Sequence, residues 1–235
     1  MTPELWVCQL GTVDYDSALE LQHRVRTARQ AGAIPDVMLV LEHWPVYTRG
    51  RRSGAGELPM GEEWYRAQGI EIVDVDRGGR ITYHGPGQLV GYPIMAVDDV
   101  VEYVRTLERG IVSTLRADGL AQARARPEDG PDYTGVWVGE RKIASIGVHV
   151  ARGVTTHGWA VNVENDLQPF SWVVACGLDG VQMTSLIKET GRGAGQMKCF
   201  RRRVAFEVAT ALGRRQRLVS AARLEAAVGD VLTAA

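Results

Sequence analysis

Thirty residues near the middle of the chain, "TGVWVGERKIASIGVHVARGVTTHGWAVNV" from Thr134 to Val163, leave little freedom of fold. Three β-rich segments are separated by two glycine-containing turns, "GER" and "ARG". Turns this short join antiparallel neighbours, so the stretch predicts a β-meander. Its apolar residues then need helices packed on them. One is predicted in "DYDSALELQHRVRTARQAG", with Asp14 or Asp16 as N-cap, Gly32 as stop, and Ala18, Leu21, Val25 and Ala28 on one face. A second is predicted in "DDVVEYVRTLERGIVSTLRADG", where Val101, Val104, Leu107, Ile111 and Leu115 form a stripe that Gly119 ends. A third, "GQMKCFRRRVAFEVATALG", carries Phe200, Val204, Val208 and Leu212 on one side. "ELWVCQLGTV" and "IEIVDV" read as strands and "EEWYRAQG" as a short helix, while the unbroken apolar run "DVMLVLEH" predicts a buried strand. The alanine-rich tail after Arg217 is weakly helical at best. No repeat or linker divides the chain, so we expect one α+β domain over residues 1–235, a mixed, largely antiparallel sheet with packed helices.

Composition closes several functional classes. The formal charge of −1 sets up no field for nucleic acid or an anionic membrane. No apolar run reaches membrane-spanning length, and "MTPELWVCQL" has no signal-peptide pattern. Cys8, Cys176 and Cys199 are odd in number and far apart, which suits reduced thiols in a cytoplasmic protein. There is no P-loop motif, no strand-linked G-x-G-x-x-G, no H-E-x-x-H and no C-x-x-C, so neither a nucleotide nor a metal is expected as cofactor. His23, in a helix, and His43, at a strand end, read as structural.

The chemistry has two places left. "RGGRITYHGPGQLVGYP", Arg77 to Pro93, combines five glycines with apolar residues, as though something lay so close to its backbone that side chains are left out. Ile81, Tyr83 and Leu89 are its candidate apolar wall, and Thr82 and His84 its candidate polar groups. Cys176, in "WVVACGLDGVQMTSL", ends an apolar run beside Gly177, whose N–H is open to hold an oxyanion. An unpaired cysteine is ordinarily a small core hydrophobe, and a nucleophilic one needs a partner for its proton. Lys142 is the odd charge in "GERKIASIGVHV", although at a hairpin tip it would ordinarily be a solvated turn residue. His84 and His157 are rival bases, and spacing alone does not choose among the three.

"RGGRITYHGPGQLVGYP", "RKIASIGV", "THGWAVNV" and "ACGLDGVQMTSL", in this order, resemble the lipoyl(octanoyl) transferase family over most of the chain. The resemblance implies the fold of biotin and lipoate protein ligases. It implies an acyltransferase that moves an octanoyl group from octanoyl-acyl carrier protein, through a cysteine thioester, to a lipoyl-domain lysine. Acceptors would be the lipoyl domains of 2-oxoacid dehydrogenase complexes and the glycine cleavage H protein. The family's catalytic cysteine and lysine fall on Cys176 and Lys142. Its substrate-binding segments fall on Arg77, Gly78, Gly79, Arg80, Ile81, Thr82, Tyr83 and His84, on Ser145, Ile146 and Gly147, and on Gly158, Trp159 and Ala160. Ala175 departs from the proline usual before the cysteine. Burying an octanoyl chain at about 0.8 kcal/mol per methylene makes roughly 5–6 kcal/mol available for recognition. Competing readings are an ATP-dependent lipoate or biotin ligase, a non-catalytic lipoyl-domain binding module, and a cysteine hydrolase. "KCFRRR" and "GRRQR", with Lys198, Arg201, Arg202, Arg203, Arg214, Arg215 and Arg217, form a candidate docking patch for an acidic carrier protein, or else a solvated face.

Overall fold

The computed structural model describes residues 2–173 and 181–233. Its main sheet has eight strands, and the chain enters it at β1 (Glu4–Val13), crosses helix α1 (Tyr15–Gln30) and returns as β2 (Asp36–His43). β3 (Val46–Arg49), helix α2 (Glu62–Ala67), β4 (Glu71–Asp74) and β5 (Thr82–His84) build a separate three-stranded sheet of order β4-β3-β5. β6 (Gln88–Ile94) rejoins the main sheet and is followed by α3 (Val100–Ala117) and β7 (Ala123–Arg124). The meander follows as β8 (Gly135–Val138), β9 (Arg141–Ala151) and β10 (Val154–Asn162). Helices α4 (Leu186–Thr190) and α5 (Met197–Ala211), strand β11 (Arg215–Val219) and helix α6 (Ala221–Thr233) complete the chain.

The strand order β11-β1-β2-β6-β10-β9-β8-β7 is parallel over its first three strands and antiparallel over the rest, so the sheet is mixed and largely antiparallel. β2 is apolar from Val37 to Leu41 because both its faces are covered. Met38 and Val40 join Leu107, Ile111, Phe200 and Val204 in the core under α3 and α5. Val37, Leu39 and Leu41 join Ala18, Leu21 and Val25 in the core under α1. The small sheet has its own core of Tyr47, Tyr65, Ile81, Tyr83 and Phe170.

Two expectations change here. Val101 is 69% exposed, and the buried row of α3 runs through Tyr103, Leu107, Ile111 and Leu115 instead. Tyr103 takes the first place because its hydroxyl donates to Pro93 O at 3.1 Å, which lets the ring be buried with its polar atom satisfied. The tail after Arg217 is not weakly structured. β11 pairs in parallel with β1 from Glu4↔Arg215 to Cys8↔Val219, and α6 buries Leu224 and Val228 in the core under α1. Two apolar anchors at i and i+4 in an alanine-rich helix, after an arginine-rich edge strand, give little periodicity to read.

Candidate active site

Lys142 decides the site. The hairpin register sets it opposite Trp137, after a shift between Val136 and Trp137, and it is only 2% exposed. Its Nζ lies 5.3 Å from the centre of the Trp137 ring, within cation–π range. Gly135 makes the slot for the side chain. A Cβ there would overlap the Ala144 carbonyl oxygen and come within 2.9 Å of Lys142 Cε, and its φ of +135° suits glycine. Glu108, buried on α3 and paired with Arg105, holds this turn by accepting from Gly135 N at 2.9 Å. The Lys142 backbone is engaged as well. Its N–H donates to Gln182 O and its carbonyl accepts from Thr184 N, both at 2.9 Å, so residues 182–184 run alongside it in parallel. Cys176 and Gly177 lie outside the described residues, six and five positions before Gln182.

Lys142 lines a narrow cleft between the glycine loop and the sheet. Twelve of the fourteen expected substrate-binding residues line it too. Arg77, Gly78, Gly79, Arg80, Thr82 and His84 form one side, and Ser145, Ile146, Gly147, Gly158, Trp159 and Ala160 the sheet side. Arg77 is a strut of its own loop. Its guanidinium donates to Thr48 O at 2.6 Å, Thr48 Oγ1 at 2.7 Å, Arg80 O at 2.8 Å and Gly78 O at 3.0 Å. The loop rests on β9 through a hydrogen bond from Gly78 N to Val148 O at 3.0 Å. A Cβ on Gly147 would come within 2.8 Å of Gly78 O, so that glycine is what permits the contact.

Ile81 and Tyr83 do not line the cleft, and neither does Leu89. The pleat of β5 turns Tyr83 into the core of the small sheet, its ring 5.6 Å from Tyr47 and 5.5 Å from Phe170, and Ile81 is buried in the same core. Leu89 belongs to the core under α3. Two of the glycines also serve the protein rather than a ligand. A Cβ on Gly87 would meet Asn165 N at 2.7 Å, and one on Gly85 would overlap the Tyr83 ring. The apolar wall comes instead from Val90, Ile146 and Ala160, with Tyr15 and Tyr92 beyond them. Spacing carried no sign of Tyr15, which reaches the cleft only because α1 begins above the sheet.

His43, His84 and His157 are buried and tied down. His43 Nδ1 lies 2.8 Å from Val13 O and so carries the proton, which leaves Nε2 to accept from the Tyr92 hydroxyl at 2.7 Å. His84 Nδ1 lies 2.7 Å from Gln88 Oε1, and His157 Nε2 lies 2.6 Å from Asp76 Oδ1. Burial pushes His43 down to about 4 and His84 down to about 3, which leaves His84 a weak base at neutral pH. Burial also lowers His157 although Asp76 opposes it, and the His157 hydrogen bond holds Asp76 down to about 2.

A stability prediction follows. An unfolded chain binds protons on these histidines from about pH 6.5 downward, whereas the folded chain refuses them. The stability they confer is therefore present above pH 6.5 and is lost as pH falls towards 4, by up to about 1.4 kcal/mol per pH unit for each histidine. Asp76, depressed in the fold, adds a further loss below about pH 4. Thermal midpoints measured from pH 8 to pH 4 should fall steadily below 6.5, and a flat profile between 6.5 and 5 would rule the argument out.

The basic run does not form one positive face. Arg201 pairs with Glu42, Arg203 with Asp118, Arg214 with Asp36, and Arg215 and Arg217 with Glu4. At the cleft mouth, Arg52 Nη1 meets Asp132 Oδ1 at 2.9 Å, a half-exposed pair that sequence spacing did not suggest.

Comparison with known proteins gives the family and the fold. The model of the lipoyl protein ligase A/B catalytic domain matches residues 14–208. An octanoyltransferase of Solibacter usitatus is 48% identical over 174 residues, covering 72% of this chain and 77% of its own. One from Mycobacterium marinum is 45% identical over 201 residues, covering 80% of each. Among solved structures, lipoate-protein ligase A bound with ATP superposes with a TM-score of 0.75 at 19% identity, covering 99% of this chain and 95% of its own. A bipartite lipoate protein ligase from Thermoplasma acidophilum gives 0.73 at 18% identity, covering 98% and 92%. Such likenesses carry the fold, and the closer sequences carry the family: the chain belongs to the lipoyl protein ligase A/B family, and within it to the octanoyltransferases.

Proposed function

We propose that this octanoyltransferase passes its acyl group through Cys176, with Lys142 as the group that manages the protons, in one catalytic domain formed by residues 1–235. The observation that supports this most is the burial of Lys142 in the cleft, with its backbone hydrogen-bonded to the Gln182–Thr184 segment that follows Cys176 in the chain. Nothing in a hairpin-tip lysine requires such a position.

The donor is octanoyl-acyl carrier protein, whose thioester is already activated. The Cys176 thiolate adds to the thioester carbonyl, the carrier's sulfur leaves and takes its proton from the Lys142 ammonium, and octanoyl-Cys176 remains. The ε-amine of a lipoyl-domain lysine then adds to the new thioester, Cys176 leaves as thiolate, and the surplus proton on nitrogen passes to Lys142. An amide and a free carrier thiol are the products. Lys142 serves the first step either by taking the thiol proton as an amine or by holding the thiolate as an ammonium. Arg77 orders the glycine loop, Thr82 and Ser145 offer hydroxyls to the acyl carbonyl, and Val90, Ile146 and Ala160 cover the chain. Acceptors are lipoyl domains, among them those of 2-oxoacid dehydrogenase complexes and the glycine cleavage H protein, and the setting is the cytoplasm. Among the described residues no helix is long and apolar enough to cross a membrane.

An ATP-dependent ligase on the same fold is the competing reading, and one assay separates them. Transfer from octanoyl-acyl carrier protein to a lipoyl domain should proceed unchanged in EDTA and apyrase, with intact-protein mass spectrometry showing a single octanoyl group on the enzyme. Strict dependence on ATP would return the chain to the ligases.

A further inference from the structure

The far end of the cleft is closed by side chains that have turned their polar atoms on one another. Tyr92 gives its hydroxyl to His43 Nε2 at 2.7 Å, and His43 Nδ1 is spent on Val13 O at 2.8 Å. Tyr15 brings its hydroxyl to 3.4 Å from His157 Nδ1, while His157 Nε2 is spent on Asp76 at 2.6 Å. His84 Nδ1 is spent on Gln88 Oε1 at 2.7 Å. The rings pack as a block, with Tyr15 5.0 Å from His43 and 6.1 Å from His84, and His43 5.9 Å from Tyr92. A buried polar network satisfied in this way is stiff, and what it presents to the cleft is ring surface.

A row of cleft residues leads from β9 towards the block. Ser145, Ala160 and Val90 face the cleft in one cross-strand row, Ser145↔Ala160 and Ala160↔Val90. That row crosses β9, β10 and β6, two strand spacings or roughly 10 Å. It starts on the strand that carries Lys142 and runs towards β2, the next strand beyond Val90, over whose end the Tyr15 and His43 rings sit. A zigzag of eight carbons with bonds of ~1.5 Å is about as long when extended.

We propose that the Tyr15–Tyr92–His43–His157 block is a ruler that sets the acyl chain length, with Tyr15 as the residue that stops the terminal methyl. This rests on the reading of the cleft as the acyl site of a transferase. A saturated chain of eight carbons ends against the rings, whereas one of ten or twelve has to displace Tyr15 and break the contacts behind it. Tyr15 is the removable part, since it comes from the first turn of α1 while the other members come from sheet strands.

The test compares kcat/KM for octanoyl-, decanoyl- and dodecanoyl-acyl carrier protein, with a lipoyl domain as acceptor, in the unaltered chain, in Tyr15→Ala and in Tyr15→Leu. Tyr15→Ala should raise the ratio of dodecanoyl to octanoyl transfer roughly tenfold or more, the size of discrimination a methylene or two commands in an apolar pocket. Tyr15→Leu keeps an apolar side chain at the helix start, should fold even if the alanine variant does not, and should move the ratio in the same direction. A folded variant in which all three chains slow by one common factor would overturn the ruler and make Tyr15 merely structural. Failure of the unaltered chain to transfer any of the three would overturn the transferase reading, and the ruler with it.

Discussion

Lys142→Ala should leave a folded protein in which octanoyl transfer falls by about 10²–10⁴-fold, the range that a positioned proton-transfer group supplies. Its Cys176 should react with an alkylating agent far more slowly at pH 7, because the thiol has lost the group that favours its thiolate. Lys142→Arg should fail as well. A guanidinium does not give up its proton, and its planar fork needs more room than the slot between Trp137 and Gly135 offers. Cys176→Ser should abolish the octanoyl adduct altogether. Steady-state transfer, alkylation rates and intact mass on the same three variants test the dyad. Acylation of Cys176 at the unaltered rate in Lys142→Ala would end it.

Gly135→Ala should be nearly as damaging, through structure as well as chemistry. The added methyl would overlap a backbone oxygen that β8–β9 pairing holds in place, and the φ of +135° is foreign to alanine. Strain and overpacking together should cost about 3 kcal/mol or more. The methyl would also push on Lys142 Cε, so molecules that do fold should transfer poorly. Gly139→Ala is the control. That residue also has a positive φ, +58°, but its Cβ would find nothing within 4 Å, so the change should cost only about 1–2 kcal/mol. Urea midpoints of the two variants compare them directly, and equal losses would show that Gly135 matters for its dihedral angle rather than for the lysine slot.

Local periodicity carried the elements a long way. The meander, the doubly covered β2, the face of α1 and the body of α3 were legible because side-chain spacing alone decides which residues share a face. So were Lys142 and most of the cleft-lining positions, although the blocks that marked them spoke through family resemblance rather than spacing. What spacing does not carry is the identity of the neighbour across each face. The glycines of Arg77–Pro93 announced a close approach, but a missing side chain reads alike whether the space is taken by an acyl chain or by Asn165, as at Gly87. Ile81 and Tyr83 alternate with cleft residues, and only the small sheet settled that their side is the packed one. Lys142 sits in a turn-like tetrapeptide, and Trp137, Gly135 and the segment from Gln182 to Thr184 are what bury it. The chain-end block draws Tyr15, His43, His84, Tyr92 and His157 from four strands and a helix, so no window of sequence contains it. Faces are local, because they follow from the backbone repeat. Sites are not, because a cleft exists only where two elements distant in the chain leave a gap between them.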